Sequence, residues 1–173
     1  MSFFLNVQSS EKQSIINHFS GINNFSFKFE QISQGKIETG DCLLEFDNKL
    51  KCSYNDKLQK KIIINDKTLV ILQKRYNKVY YYPVSKSPFV NILSKKKLIN
   101  LIQKSDIKLK NNIELIYLDK NENKITVFFD KKNYGLIGWL IKDNFQNEIY
   151  FSLKMKKINS LIDKNYFKIP VLN

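Results

Sequence analysis

The sequence predicts a mainly β fold with an α lid: a strongly curved antiparallel sheet forming an unclosed β-barrel, with an N-terminal helix and an inserted helical lid. Three observations predict it. Phe25, Phe27 and Phe29 alternate strictly with Ser26, Lys28 and Glu30, the pattern of a half-buried strand. Short strands then recur with polar turns of hairpin length between them. Midway, Phe89, Ile92, Leu93, Leu98, Leu101 and Ile102 fall at helical spacing and interrupt the series.

The 173 residues suit one domain, 1–173, long enough to bury a sizeable core. Thirteen Phe and a hydrophobic fraction of 43% exclude a disordered polymer. With only five Gly and three Pro, the turns must lean on Asn, Asp and Lys.

Each element follows from local pattern. Ser9-Ser10-Glu11 reads as the start of an N-terminal helix over 10–20, with Ile15, Ile16 and Phe19 on one face and Gly21 as its stop. Strands at 36–46 and 50–54 flank Asp47-Asn48-Lys49, and strands at 61–64 and 69–72 flank Asn65-Asp66-Lys67. A strand at 79–84 completes the first half. Ser87-Pro88 opens the lid insertion, 87–104, which Lys95-Lys96-Lys97 divides, so that two short helices are as open as one. Strands resume at 113–118, 124–129, 136–141 and 148–156, with turns at Lys120-Asn121-Glu122-Asn123 and Asp143-Asn144. Such a meander with one apolar insertion has a natural docking place for it, across the open face of the sheet.

Charge narrows the function classes. The net charge is +13, yet Arg75 is the only arginine. Lysine lacks the planar fork that reads bases and phosphates bidentately, so specific nucleic-acid recognition is disfavoured. Abundant Asn, Ile and Lys also match drift in an AT-rich genome. A basic surface still attracts anionic headgroups over about 10 Å. No apolar run approaches the roughly 20 residues of a membrane-spanning helix, so no stable membrane insertion is expected. The first residues, Met1 to Val7, lack a basic leader and a full apolar segment. An export signal has been removed, the start is misassigned, or the protein is cytoplasmic.

Catalytic chemistry is hard to find. His18 is the only histidine and reads as a packed or surface residue. There is no metal-ligand spacing, no Gly-rich phosphate loop and no nucleophile elbow. The expectation is no enzyme activity, no metal and no cofactor. Cys42 and Cys52 are a separate matter. A hairpin centred on Asp47 sets them directly opposite on one face, at a separation compatible with a disulfide. An oxidised pair in an exported protein and two small buried thiols both remain open.

Several strands are apolar on both faces: Ile62-Ile63-Ile64, Leu69-Val70-Ile71-Leu72, Tyr80-Tyr81-Tyr82 and Val127-Phe128-Phe129. One face can pack on helices; the other needs a further layer, a partner or a ligand. Helices and curvature burying everything is the plainer alternative.

The order of motifs resembles the periplasmic outer-membrane lipoprotein carrier family, the LolA type, from about Ser14 to Pro170. Ile22 to Gln31 is similar to the family's opening strand, and Phe46 to Tyr54 to its second hairpin. Asn65-Asp66-Lys67-Thr68-Leu69-Val70-Ile71 resembles its "DGKTLW" strand. Tyr82 to Phe89, followed by Ile92-Leu93, resembles the lead into the lid, and Leu136-Ile137-Gly138-Trp139 and Tyr166-Phe167-Lys168-Ile169-Pro170 its late strands. The resemblance implies a periplasmic monomer without a cofactor that carries acylated lipoprotein cargo. It would take cargo from an inner-membrane lipoprotein-releasing ABC transporter and deliver it to an outer-membrane lipoprotein receptor. Where the family has Arg-Pro, its arginine latching the lid, this chain has Phe46-Asp47, so apolar contacts are expected to hold the lid instead. The chain also lacks the C-terminal extension of some members and looks like a shorter one.

On this reading Phe25, Phe27, Leu44, Phe46, Tyr54, Ile62, Ile64, Leu69, Ile71, Tyr80 and Tyr82 line a lipid cavity, and Phe89, Ile92 and Leu93 form the lid. The rivals are a carrier of other lipids or glycolipids, a basic nucleic-acid-binding β-barrel, and a solid structural domain whose interior its own side chains fill.

Overall fold

The alternation that begins at Phe25 does form a strand, and the sheet grows from it in both directions. The computed structural model describes residues 2–86, 92–119, 122–142 and 145–170, with side chains from residue 9 onward. Helix α1 spans Ser2–Ser20 and is followed by β1 (Asn24–Ser33), β2 (Lys36–Glu45), β3 (Lys49–Tyr54), β4 (Lys60–Asn65), β5 (Thr68–Gln73) and β6 (Lys78–Pro83). Helix α2 (Lys95–Lys104) precedes β7 (Asp106–Leu109), β8 (Ile113–Leu118), β9 (Lys124–Phe129), β10 (Leu136–Lys142) and β11 (Glu148–Ile158). All strands join one 11-stranded antiparallel sheet in the order β6-β5-β4-β3-β2-β1-β11-β10-β9-β8-β7. Its ends, β6 and β7, do not pair, so the barrel is unclosed.

Sequential hairpins account for every pairing but one. β1 pairs with β11, through Phe27 opposite Met155, Phe29 opposite Leu153 and Gln31 opposite Phe151. Side-chain hydrogen bonds secure this join. The Asn23 N–H donates to Asn159 Oδ1 at 2.7 Å, and the Ser160 N–H donates to Asn24 Oδ1 at 2.9 Å.

One face of the sheet carries the helices. Ile15 and Phe19 of α1 and Leu98 and Ile102 of α2 are buried with Ile113, Leu115, Ile125, Val127 and Phe129. Phe19 meets Phe129 edge to face at 5.9 Å. The opposite face of β4 and β5 is covered by the chain itself. Ile63, Val70 and Leu72 are buried there with Val79 and Ile169 packed on them. Backbone carbonyls of the tail accept hydrogen bonds from the sheet, Tyr166 O from Lys51 Nζ at 2.9 Å and Phe167 O from Asn65 Nδ2 at 3.4 Å. The surplus apolar face of these two strands therefore belongs to the tail, not to a ligand.

Two glycines are required by close approach. A Cβ on Gly40 would lie 2.2 Å from Ser53 O and 2.7 Å from the Phe29 ring. Gly138, at φ +154° beside the irregularity in β10, has Phe151 O where a Cβ would go, 2.2 Å away. That irregularity precedes Trp139 and turns its ring onto the helix-bearing face.

Several expectations need correction. The N-terminal helix starts at Ser2, not at residue 10. Serine costs only a few tenths of a kcal/mol inside a helix, and the Ser14 hydroxyl bonds back to Ser10 O at 3.0 Å within it. The lid is not helical over 87–104: α2 is Lys95–Lys104, and Ile92 and Leu93 precede it in a non-helical turn. Ser94 is extended at φ −110°, ψ 124°, so the helix begins at the lysine run instead of being divided by it. Ser87, Pro88 and Phe89, and the turn residues Lys120, Asn121, Asp143 and Asn144, lie outside the described residues. The short strand β7 was not expected, since its four residues hold only two apolar positions.

Cys42 faces Cys52 across β2 and β3, as the Asp47-centred hairpin requires, and the two are disulfide-bonded. The bridge spans a sequence separation of 10, for which chain entropy gives about 2–3 kcal/mol. The double variant Cys42→Ala/Cys52→Ala is expected to lose about that much stability in denaturant unfolding. Phe167, 4% exposed, anchors the tail, and Phe167→Ala is expected to cost about 3 kcal/mol in the same measurement.

Candidate functional site: an apolar hollow beneath the inserted segment

The helices fill only part of the sheet's inner face. Over β1 to β4 lies a hollow walled by Phe25, Phe27, Leu44, Leu50, Cys52, Tyr54 and Ile62. The wall continues through Leu136 and Trp139 of β10 with Phe151 and Leu153 of β11, and Ile92 and Leu93 form its roof. About 30 Å³ is open to the centre of a water molecule, enough for roughly two waters. An acyl chain therefore enters only if the roof or the wall side chains move.

Aromatic rings build one wall. Trp139 stacks on Phe151 at 4.1 Å, Phe151 on Phe29 at 5.0 Å, and Phe29 meets the Tyr54 ring edge to face at 4.9 Å. Beyond Tyr54 the surface turns polar. Lys60 Nζ lies 3.8 Å from the Tyr54 ring centroid and 2.7 Å from Glu38 Oε1, and both side chains of that ion pair are largely buried. Burial opposes ionisation of Glu38, but hydrogen bonds from Lys60 and Lys36 outweigh it and hold the carboxyl below its usual range. Burial, and then the nearby Glu38 and Asp56 carboxylates, push the Tyr54 phenol well above its ordinary value. Tyr54 thus stays neutral and acts as apolar wall with a polar tip.

The roof is held by the β2–β3 turn. The Asn48 N–H donates to Leu93 O at 2.8 Å, and the Lys95 N–H donates to Asp47 Oδ1 at 2.7 Å. The Asp47 carboxylate so caps the first turn of α2, which lacks a cap from Ser94. Lys95 Nζ in turn donates to Ser20 O at 3.2 Å and sits 5.6 Å over the Phe46 ring. Phe46-Asp47, where an apolar hold was expected, contributes hydrogen bonds as well as apolar packing.

The structure divides the expected lining residues into three groups. Phe25, Phe27, Leu44, Tyr54 and Ile62 line the hollow under Ile92 and Leu93. Phe46, Ile64 and Leu69 pack into the core beside it. Ile71, Tyr80 and Tyr82 share the inner face, because Ile62 pairs with Ile71 and Ile71 with Tyr80, and Leu69 with Tyr82. They lie farther along the sheet, where Tyr80 and Tyr82 are 39% and 46% exposed. Leu50, Cys52, Leu136, Trp139, Phe151 and Leu153 were not anticipated as lining. The Asp47-centred hairpin already held the signal for Leu50, which faces Leu44, and for Cys52. The other four depend on the β1–β11 join, which no local pattern announces.

Among the described residues no cluster of His, Cys, Asp and Glu could hold a metal ion. No described helix is long and apolar enough to cross a membrane. Burial lowers the pKa of His18, whose Nε2 is buried without a hydrogen-bond partner.

No curated protein matches the sequence. Among solved structures, an uncharacterized conserved protein from Thermus thermophilus is similar at TM-score 0.60 and 8% identity, over 92% of this chain and 93% of that one. The lipoprotein LppX from Mycobacterium tuberculosis is similar at TM-score 0.53 and 10% identity, over 91% and 98% of the two chains. A putative outer membrane lipoprotein-sorting protein domain from Vibrio parahaemolyticus is similar at TM-score 0.52 and 12% identity, over 92% and 95%. At such identities the likeness speaks for the fold alone. The sequence itself matches the family model "Outer membrane lipoprotein carrier protein LolA" over residues 20–170, and the chain therefore belongs to that family.

Proposed function

We propose that this protein is a non-catalytic periplasmic carrier that shelters lipoprotein acyl chains in the hollow and moves them from the inner to the outer membrane. The observation that carries the reading is the apolar hollow under a roof held by two hydrogen bonds. Family membership supports lipoprotein cargo, an inner-membrane lipoprotein-releasing ABC transporter as donor and an outer-membrane lipoprotein receptor as acceptor. The Cys42–Cys52 bridge suits an oxidising compartment such as the periplasm.

Energetics favour reversible carriage. Burying a methylene contributes about 0.8 kcal/mol, so a fully sheltered palmitoyl chain gains roughly 12 kcal/mol. Lifting the roof sacrifices two hydrogen bonds and the burial of Ile92 and Leu93, costing roughly 4–9 kcal/mol. The difference leaves binding firm enough for transit and weak enough for transfer. Phe25, Phe27, Leu44, Tyr54 and Ile62 would hold the chain first. Ile64, Leu69, Ile71, Tyr80 and Tyr82 extend the same face towards the free edge of β6 and would take the remainder.

A nucleic-acid reading needs aromatics on an exposed basic face; Tyr80, Tyr81 and Tyr82 are exposed on β6, so it is the near absence of arginine, Arg75 alone, that weighs against it. Competition between a synthetic triacylated lipopeptide and free phospholipid for a fluorescent palmitoyl probe separates lipoprotein carriage from carriage of other lipids. Displacement by phospholipid alone would favour the latter.

Ile62→Phe adds bulk at the hollow's wall and is expected to weaken the palmitoyl probe at least about tenfold, with overpacking limited to about 1–3 kcal/mol. Unchanged binding by this variant would refute the hollow as the site. Asp47→Ala removes the cap on α2, worth about 1 kcal/mol. It is expected to tighten apparent probe binding about fivefold by lowering the cost of opening, as read by equilibrium titration.

A further inference from the structure

We infer that the outward face of α2, with the groove beside it, docks on an anionic phospholipid surface and presents the roofed end of the hollow to the membrane. The inference rests on the carrier reading for its purpose, but its evidence is separate. Helix α2 buries Leu98 and Ile102 and turns Lys96, Lys97 and Lys104 to solvent. Ten residues make it about 15 Å long, so the three cations spread over a patch instead of converging on a point. The segment 92–105 contains no acidic residue. None of the three lysines joins an ion pair among the described residues. Of the carboxylates nearby, two are engaged and Asp106, just beyond the helix, is exposed. Asp47 caps the helix, and Asp119 accepts from the Asn123 N–H at 3.0 Å and from Asn123 Nδ2 at 2.9 Å.

Beside this basic face lies a groove of mixed character. Lys97, Leu101 and Lys104 share it with Tyr117, Leu118 and Asp119 at and just beyond the end of β8, and Leu118 is 65% exposed. Lysines around an exposed leucine fit a bilayer interface, where the charges meet headgroups and the aliphatic side chain reaches the acyl boundary. Lysine is also a strongly hydrated point charge, suited to a diffuse anionic surface and not to a paired, directional protein site. The location gives the docking a use. The N-terminus of α2 follows the roof residues Ile92 and Leu93 directly, so a membrane-bound α2 sets the roof beside the lipid from which acyl chains come.

Flotation of the intact protein with phosphatidylcholine vesicles, with and without phosphatidylglycerol, tests this. The protein is expected to float only with phosphatidylglycerol and to be released by high salt. Each lysine near such a surface is worth roughly a factor of five, so Lys96→Glu/Lys97→Glu/Lys104→Glu is expected to weaken flotation by at least about a hundredfold. Lys154→Glu/Lys156→Glu/Lys157→Glu makes the same charge change on exposed β11 positions and is expected to weaken it far less. Leu118→Ser is expected to weaken flotation with no change in charge. Equal loss from both lysine triples would reduce the effect to net charge and overturn the inference. Wild-type protein that does not float with phosphatidylglycerol would also overturn it, leaving an acidic protein as the partner to seek. Palmitoyl probe binding in solution, expected to be unchanged in the α2 triple variant, separates the two readings. If wild-type protein floats but binds no probe, the carrier reading fails and the docking face stands.

Discussion

The pairing of β1 with β11 is the constraint on which the rest of this structure depends. Every other strand pair is a local hairpin, and a chain of hairpins alone would leave two separate sheets. Joining first strand to last fuses them into one curved surface and sets Trp139, Phe151 and Leu153 beside Phe25 and Phe27 on its inner face. The hollow exists only because these two halves are joined. The crossed hydrogen bonds among Asn23, Asn24, Asn159 and Ser160 fix that join at one end, and the stack Trp139–Phe151–Phe29 runs across it.

The roof adds a second constraint of a different kind. Residues that pack a core permanently are usually covered by regular structure, whereas Ile92 and Leu93 are buried in a turn held by the neighbouring hairpin. Asp47 caps the helix and Asn48 binds the Leu93 carbonyl, so one turn controls both the roof and the position of α2. Breaking those two bonds exposes apolar surface, and an acyl chain supplies compensating surface. The opposite, polar end closes differently, through the largely buried Lys60–Glu38 pair over Tyr54.

Legibility in the sequence followed the range of the interaction. Alternation in β1, the hairpin register that sets Cys42 opposite Cys52, and the shared face of Phe25, Leu44 and Ile62 are local and could be read directly. The family resemblance supplied the unclosed barrel. What escaped had non-local causes. Trp139 and Phe151 enter the hollow through a pairing between the chain's ends and a break in β10 at Gly138. Ile63, Val70 and Leu72 looked like surplus apolar surface because nothing local shows the tail folding over them. Helical spacing at Ile92 and Leu93 arose from one-sided burial in a turn, which imitates a helix over so short a stretch. Serines at 9 and 10 looked like a cap, but both are exposed within α1, where serine costs only a few tenths of a kcal/mol.

Trp139 is the only tryptophan and lies in the wall of the hollow, so it reports directly on what enters. Titration with a palmitoyl lipopeptide brominated along its acyl chain measures that approach, since bromine quenches indole only near contact. The account predicts strong, saturable quenching of Trp139 emission that the unbrominated lipopeptide reverses. Binding of the brominated lipopeptide with tryptophan emission unchanged would contradict it, because the acyl chain would then lie elsewhere on the molecule.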